Sequence, residues 1–212
     1  MSIERFIEAL LVRSGPHILE HLRLVLLALG CALAIAFPLG VLFTRERFRS
    51  LGEKAMAILN TGQAIPPLAV IAMFLPLWGL GFRPAVTALV LYSLLPIARN
   101  TIAGLAGVPA EVKEAARGMG LNGREVFWQV ELPLSIPVII AGAKTSAVLT
   151  VGTATLAALV GGGGMGRVIF AGIDMFWPEF IIAGTLIIGV IAIVLDRLLS
   201  LLEIVLVPPH LR

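Results

Sequence analysis

The chain has 212 residues, 58% of them hydrophobic and only 14% charged, with a formal net charge of +3 and a mean hydropathy of +1.01. Soluble domains carry about 25% charged residues, so the composition excludes an ordinary water-soluble fold and points to lipid as solvent. The basic excess does not indicate nucleic acid, because the basic residues flank apolar runs, as topology-setting charges do. The single cysteine, Cys31, excludes an intramolecular disulfide.

At the start of the chain, Ile3, Phe6, Ile7, Leu10 and Leu11 fall at i, i+3, i+4, i+7 and i+8, with Glu4, Arg5 and Glu8 opposite. That spacing predicts an amphipathic helix within an outer segment, residues 1–23, lying on the membrane surface. The same charges interrupt the apolar core that a cleavable signal peptide would need. His17 and His21 share a helix face at i, i+4, as metal ligands can. They lack a third nearby ligand or an HExxH pattern, and read as surface histidines near the membrane edge; His210 is the third histidine.

A helix crosses the hydrocarbon core with about 20 largely apolar residues. Residues 24–44 form a first uncharged run between Arg23 and Arg45. Residues 55–82 give a second span with an outer turn, and 84–98, extended past Arg99 and Asn100, a third. Residues 132–160, containing Lys144, give a fourth, and 180–195, running beyond Asp196, a fifth. In the second span Pro66 and Pro67 remove backbone N–H groups, which predicts a kink or break. Thr61, Gln63 and Pro66 are candidates for lining a passage, with helix packing as the alternative reading.

Lys144 is the one charge in the middle of a span. Such a lysine snorkels, finds a structural hydrogen bond, or faces a protein interior; a place on the translocation path is the rival reading. Gly161 to Gly164, followed by Met165 and Gly166, reads as a flexible outer segment: a gate, a partner contact or a plain loop. Its glycine spacing superficially resembles a phosphate loop, but Arg167-Val168 stand where Lys-Ser/Thr are required. Trp78 and Trp177 fall at the outer interface, where aromatic belts form.

The positive-inside rule orients the five spans. One side carries Arg45, Arg47, Arg49, Lys54, Arg99, Lys113, Arg117, Arg124, Arg197 and Arg212; the other carries Arg5, Arg13, Arg23, Arg83 and Arg167. The expectation is an outer N-terminus, a cytoplasmic C-terminus and a cytoplasmic loop over residues 107–133.

That loop has its own chemistry. Pro109 suits a helix start, and Glu111 to Arg117 are mostly good helix formers. Gly120 permits a sharp turn or a close backbone approach. Asn122-Gly123 reads as a turn pair, followed by a short second helix from Arg124 to Val130 that Leu132-Pro133 would end. Glu114-Ala115-Ala116, three residues, Gly120, nine residues and Val130-Glu131-Leu132-Pro133 resemble the EAA signature of binding-protein-dependent ABC importer permeases, with Val130 in place of the usual Ile.

The resemblance implies an all-α integral membrane fold of five transmembrane helices, a single permease domain over 1–212. It implies that Glu114, Ala115, Ala116, Gly120, Leu132 and Pro133 belong to a coupling loop seated in a cleft of a cytoplasmic ATPase. Phe127 and Trp128 are natural apolar anchors for such a contact. Between residues 60 and 175, Gln63 to Ala69, Leu91 to Ile97 with Arg99-Asn100-Thr101, and Gly152 to Ala158 resemble the osmoprotectant branch, which moves glycine betaine, choline and carnitine. Pro67 and Lys144 depart from that branch's pattern.

ATP would then act on the partner subunit, leaving this chain without a cofactor, a catalytic residue or a metal. A second permease copy or paralogue and an extracytoplasmic solute-binding protein would complete the assembly in a prokaryotic cell membrane, in contact with lipid and not with nucleic acid. An importer for another small solute, such as an amino acid, is the nearest alternative. An ion-coupled secondary transporter is the rival from another class, and usually needs an intramembrane carboxylate or histidine. Glu20, Asp196 and Glu203 sit before the spans or near their ends. No nucleophile–base constellation supports an enzyme.

Overall fold

A computed structural model describes residues 2–207; Arg212 and His210 lie outside them. The described residues are helical, with no strand among them. Four helical runs are long and apolar enough to cross a membrane: α1 (Ile3–Phe43), α5 (Phe82–Ala106), α7 (Gly123–Val160) and α9 (Pro178–Leu206). Between α1 and α5 lie α2 (Arg49–Gly62), α3 (Pro67–Met73) and α4 (Leu75–Trp78), and α8 (Gly166–Asp174) lies between α7 and α9. The stretch Glu46–Gly62 is bent by 104° against Pro67–Trp78. Counted as one broken span, they bring the total to the expected five. The break falls at Pro66-Pro67, and Pro67 then serves as the first residue of α3, where a missing N–H does no harm.

Two expectations are corrected by helical continuity. The outer segment is not a separate surface helix, because α1 runs unbroken for 41 residues, about 60 Å at 1.5 Å per residue. Its first turns pack on the start of α9: the Ser2 N–H donates to Glu179 at 2.5 Å, and the Arg5 guanidinium lies 4.9 Å from the Trp177 ring centroid. Likewise, Leu132-Pro133 does not end a short helix, since α7 passes through both residues. Each run contains a π-helical stretch just before a proline: Glu8–Arg13 before Pro16, and Phe127–Glu131 before Pro133. The wider π turn relaxes the clash between a proline ring and the preceding turn, so the helix continues.

The core is built where α1, α5, α7 and α9 meet, from small and branched residues such as Leu24, Ala28, Leu89, Val151 and Ala183, all fully buried. Close helix approach uses glycine: a Cβ on Gly142 would lie 2.5 Å from that of Asn100 and 2.8 Å from the Pro96 carbonyl oxygen. Polar bonds add to the α5–α7 contact. Ser93 Oγ and Thr150 Oγ1 are 2.7 Å apart, and Ser146 donates to the Ser93 carbonyl at 3.1 Å. Small residues and hydroxyl bonds hold helices together where lipid removes the hydrophobic drive.

The outer glycine segment and His21 also depart from expectation. Gly162 to Gly166 are buried, and Gly163 and Gly164 adopt φ of +86° and +85°. Gly164 N–H donates to Glu20 at 2.9 Å and Met165 N–H to His21 Nδ1 at 3.3 Å. His21 is fully buried, and its Nε2 lies 3.1 Å from the Val151 carbonyl. A tautomer with the proton on Nε2 satisfies both contacts. Both ring nitrogens are thus engaged within the fold, which removes the metal-pair reading, and the segment packs between the middle of α1, at Glu20 and His21, and the end of α7.

Candidate functional site

The loop over residues 107–133 is built from two helices joined by a tight turn. α6 (Ala110–Gly118) starts after Pro109 and ends in a Schellman arrangement, with Leu121 N–H bonded to Ala116 O at 3.2 Å and Gly120 N–H to Arg117 O at 2.9 Å. Gly120 has φ +92°, the left-handed conformation such a cap requires. Nothing lies within 4 Å of a Cβ built there, so within this chain the glycine serves the turn and not a close approach. Asn122 is an N-cap rather than a mere turn residue: its side chain accepts from Arg124 and Glu125 N–H, and Glu125 accepts from Asn122 N–H, a complete capping box.

These caps divide the signature by role. Ala116 is buried and Gly120 shapes the end of α6, whereas Glu114 and Ala115 are exposed. Val112, Ala115 and Met119 recur at i, i+3, i+7 on α6, with Val112 40% and Met119 75% exposed. This apolar stripe went unnoticed in the sequence, although its spacing was a usable signal. Trp128 is 56% exposed and stands edge-on to the half-buried Phe127, centroids 5.2 Å apart. Leu132 and Pro133 are half-buried on α7.

Beside the loop is a polar hollow of about 560 Å³, walled by Thr44, Arg45, Glu46, Ala110, Lys113, Glu114, Arg117 and Glu131. Arg45 Nη2 donates to Glu131 Oε2 at 3.0 Å, and its guanidinium lies 5.4 Å from the Phe127 ring centroid. Glu131 is buried, yet sequence reasoning saw it only as a filler between Val130 and Leu132.

The path candidates do not gather in one place. A cavity of about 210 Å³ at the break between α2 and α3 is lined by Gln63, Ile65, Phe74, Tyr92 and apolar neighbours. Gln63 Nε2 donates to Tyr92 O at 3.2 Å, while Tyr92 O–H donates to Ile65 O. Thr61 bonds back to Ala57 O on its own helix, and Pro66 sits exposed at the break; neither lines the cavity. Lys144 lies elsewhere, donating to Glu203 of α9 at 2.7 Å.

Residues 36–204 match the family described as binding-protein-dependent transport system inner membrane component. The chain is 42% identical over 193 residues to the glycine betaine/carnitine/choline transport system permease protein OpuCB of Bacillus subtilis (strain 168), covering 91% of this chain and 88% of the relative. It is 41% identical over 202 residues to the osmoprotectant import permease protein OsmW of Salmonella typhimurium, covering 91% of each. A solved inward-facing structure of the MetNI methionine ABC transporter has a TM-score of 0.74 at 23% identity, covering 94% of this chain and 98% of that one, which speaks for the fold alone. The chain belongs to the binding-protein-dependent transport system inner membrane components, and is a multi-pass membrane permease of that family.

Proposed function

We propose that this chain is the permease subunit of an ATP-driven importer of quaternary-amine osmoprotectants, of the glycine betaine, choline and carnitine type. Relatives at 42% and 43% identity carry those substrates in their names, a third at 41% is named an osmoprotectant import permease, and all three match nine-tenths of this chain. ATP is bound and hydrolysed on a separate cytoplasmic subunit, and an extracytoplasmic binding protein delivers the solute. A second permease copy or paralogue completes the path. The N-terminus lies outside the cell membrane and the C-terminus in the cytoplasm, in keeping with the distribution of arginine and lysine.

The observation that carries the mechanism is the loop's construction. An exposed face of Glu114, Ala115, Val112 and Met119 sits on a helix closed by a Schellman turn, and that turn leads through the Asn122 capping box into α7, one helical run to Val160. A partner that grips α6 with Trp128 as an anchor can displace α7 as a lever, opening one side of the path while closing the other. The cavity at the α2–α3 break has apolar and aromatic walls and no charged lining residue, so it presents no cation to repel a quaternary ammonium.

The test is reconstitution in vesicles with the ATPase that co-purifies in mild detergent and with the binding protein. Uptake of labelled glycine betaine or choline that requires internal ATP supports the reading. ATP-driven uptake of an amino acid alone would reassign the substrate. Uptake that survives ATP depletion but collapses with an ion gradient would replace the importer by a secondary transporter.

A further inference from the structure

The helix of the first span ends at Phe43, and two residues later Arg45 reaches across to the base of α7. Its guanidinium makes two contacts there, one at each end of the π stretch Phe127–Glu131: the ring of Phe127 at 5.4 Å and the carboxylate of Glu131 at 3.0 Å. Glu131 is 7% exposed, and its side chain keeps only 9% of its surface, against 42% for Arg45. Exposed ion pairs contribute little because water screens them and both side chains are free to move. Here one partner is enclosed, so loss of the arginine would strand a buried carboxylate.

The two groups are 86 positions apart, so the pair ties two spans together rather than stabilising one helix. It also forms part of the wall that Glu114, Lys113 and Arg117 share. The charged face of the coupling helix and the end of the first span are therefore electrostatic neighbours across one hollow. A planar guanidinium suits this position because it can stack on a ring and bond a carboxylate at once, which an ammonium cannot do equally well.

We propose that Arg45 and Glu131 are positioning residues for energy coupling: their ion pair transmits displacement of the cytoplasmic loop to the first span, so that both spans move together. The inference rests on the importer reading above. It assigns the transmission to a pair outside the matched EAA positions, and the π stretch between Phe127 and Glu131 is the segment that Arg45 clamps.

The experiment uses the permease reconstituted with its ATPase and binding protein, and reads solute moved per ATP hydrolysed. In the Arg45→Ala and Glu131→Gln complexes that assemble, that ratio is expected to fall about tenfold, the scale of a typical coupling free energy, while the ATPase rate per assembled complex stays near wild type. Arg45→Lys should fall part of the way, and the reversal Arg45→Glu/Glu131→Arg should recover most of the ratio. A ratio unchanged in the single variants, or transport and ATPase falling in parallel, would overturn the proposal. If a single variant does not assemble, the reversed pair decides: assembly with restored coupling supports the proposal, and assembly without coupling overturns it. A wild-type chain that recruits no ATPase would sink the importer reading itself, and this inference with it.

Discussion

Lys144 donates to Glu203 at 2.7 Å, joining α7 to α9 across 59 positions of sequence. The side chains retain 23% and 31% of their surface, so the pair is partly enclosed between two spanning helices. This is how the mid-span lysine is accommodated: it is paired with a carboxylate on a neighbouring spanning helix. Glu203, read as lying near the cytoplasmic end of its span, supplies the counter-charge.

Removing one partner is therefore worse than removing both. Glu203→Gln should destabilise the protein by about 1–3 kcal/mol, because an unpaired charge in a low-dielectric setting keeps its desolvation penalty without its compensation. Lys144→Met combined with Glu203→Leu should recover most of that loss. Thermal unfolding of the purified variants in one detergent measures the difference. A double variant less stable than Glu203→Gln would show that the pair contributes more than mutual neutralisation.

Glycine packing gives a sharper contrast. Gly142→Ala places a methyl 2.5 Å from the Cβ of Asn100, with backbone oxygen of Pro96 also in the way, so α5 and α7 must separate. A loss of about 1–3 kcal/mol is expected for such overpacking. Gly30→Ala meets nothing within 4 Å on the first span and should be neutral or slightly stabilising, by up to about 1 kcal/mol of helix propensity. Equal effects of the two substitutions on thermal stability would refute the close-packing account.

His21 fixes the glycine segment after α7 through Met165 N–H and the Val151 carbonyl. His21→Ala removes both bonds and opens a void in a fully buried position. Hydrogen exchange of the amides from Gly163 to Met165 should then accelerate by at least about tenfold, the equivalent of roughly 1.4 kcal/mol of lost protection. Exchange at the α6 amides, at the opposite end of the fold, should stay unchanged. Unaltered protection of the glycine segment would mean that Glu20 alone holds it.

The spans were legible because run length and charge distribution are local properties, and Pro66-Pro67 announced its break through missing N–H groups. The loop was legible in part: its helix, its glycine and its signature spacing could be read directly. Continuity through Pro16 and Pro133 could not, because a π turn that relieves a proline has no simple residue pattern. His21 looked like a surface histidine because its partners lie 130 and 144 positions away. Arg45 was counted as a topology-setting charge for the same reason, since its carboxylate partner is distant in sequence. Side chains whose roles depend on long-range partners were the ones misread.

Gly120 allows the shape of the loop to be separated from its contact with a partner. Its φ of +92° means that any L-residue there is strained, and Gly120→Ala should cost about 1 kcal/mol locally. Among the described residues, its chain neighbours aside, no atom lies within 4 Å of the added Cβ, so Gly120→Glu should carry nearly the same backbone penalty within the permease alone. The two variants should thus unfold at similar temperatures. In the reconstituted transporter they should diverge: a carboxylate projecting from the turn would obstruct a fitted surface, and uptake by Gly120→Glu should fall well below that of Gly120→Ala while ATP hydrolysis continues. Matching uptake in the two variants would mean that the turn serves the fold alone, and would move the contact with the ATPase away from this end of α6.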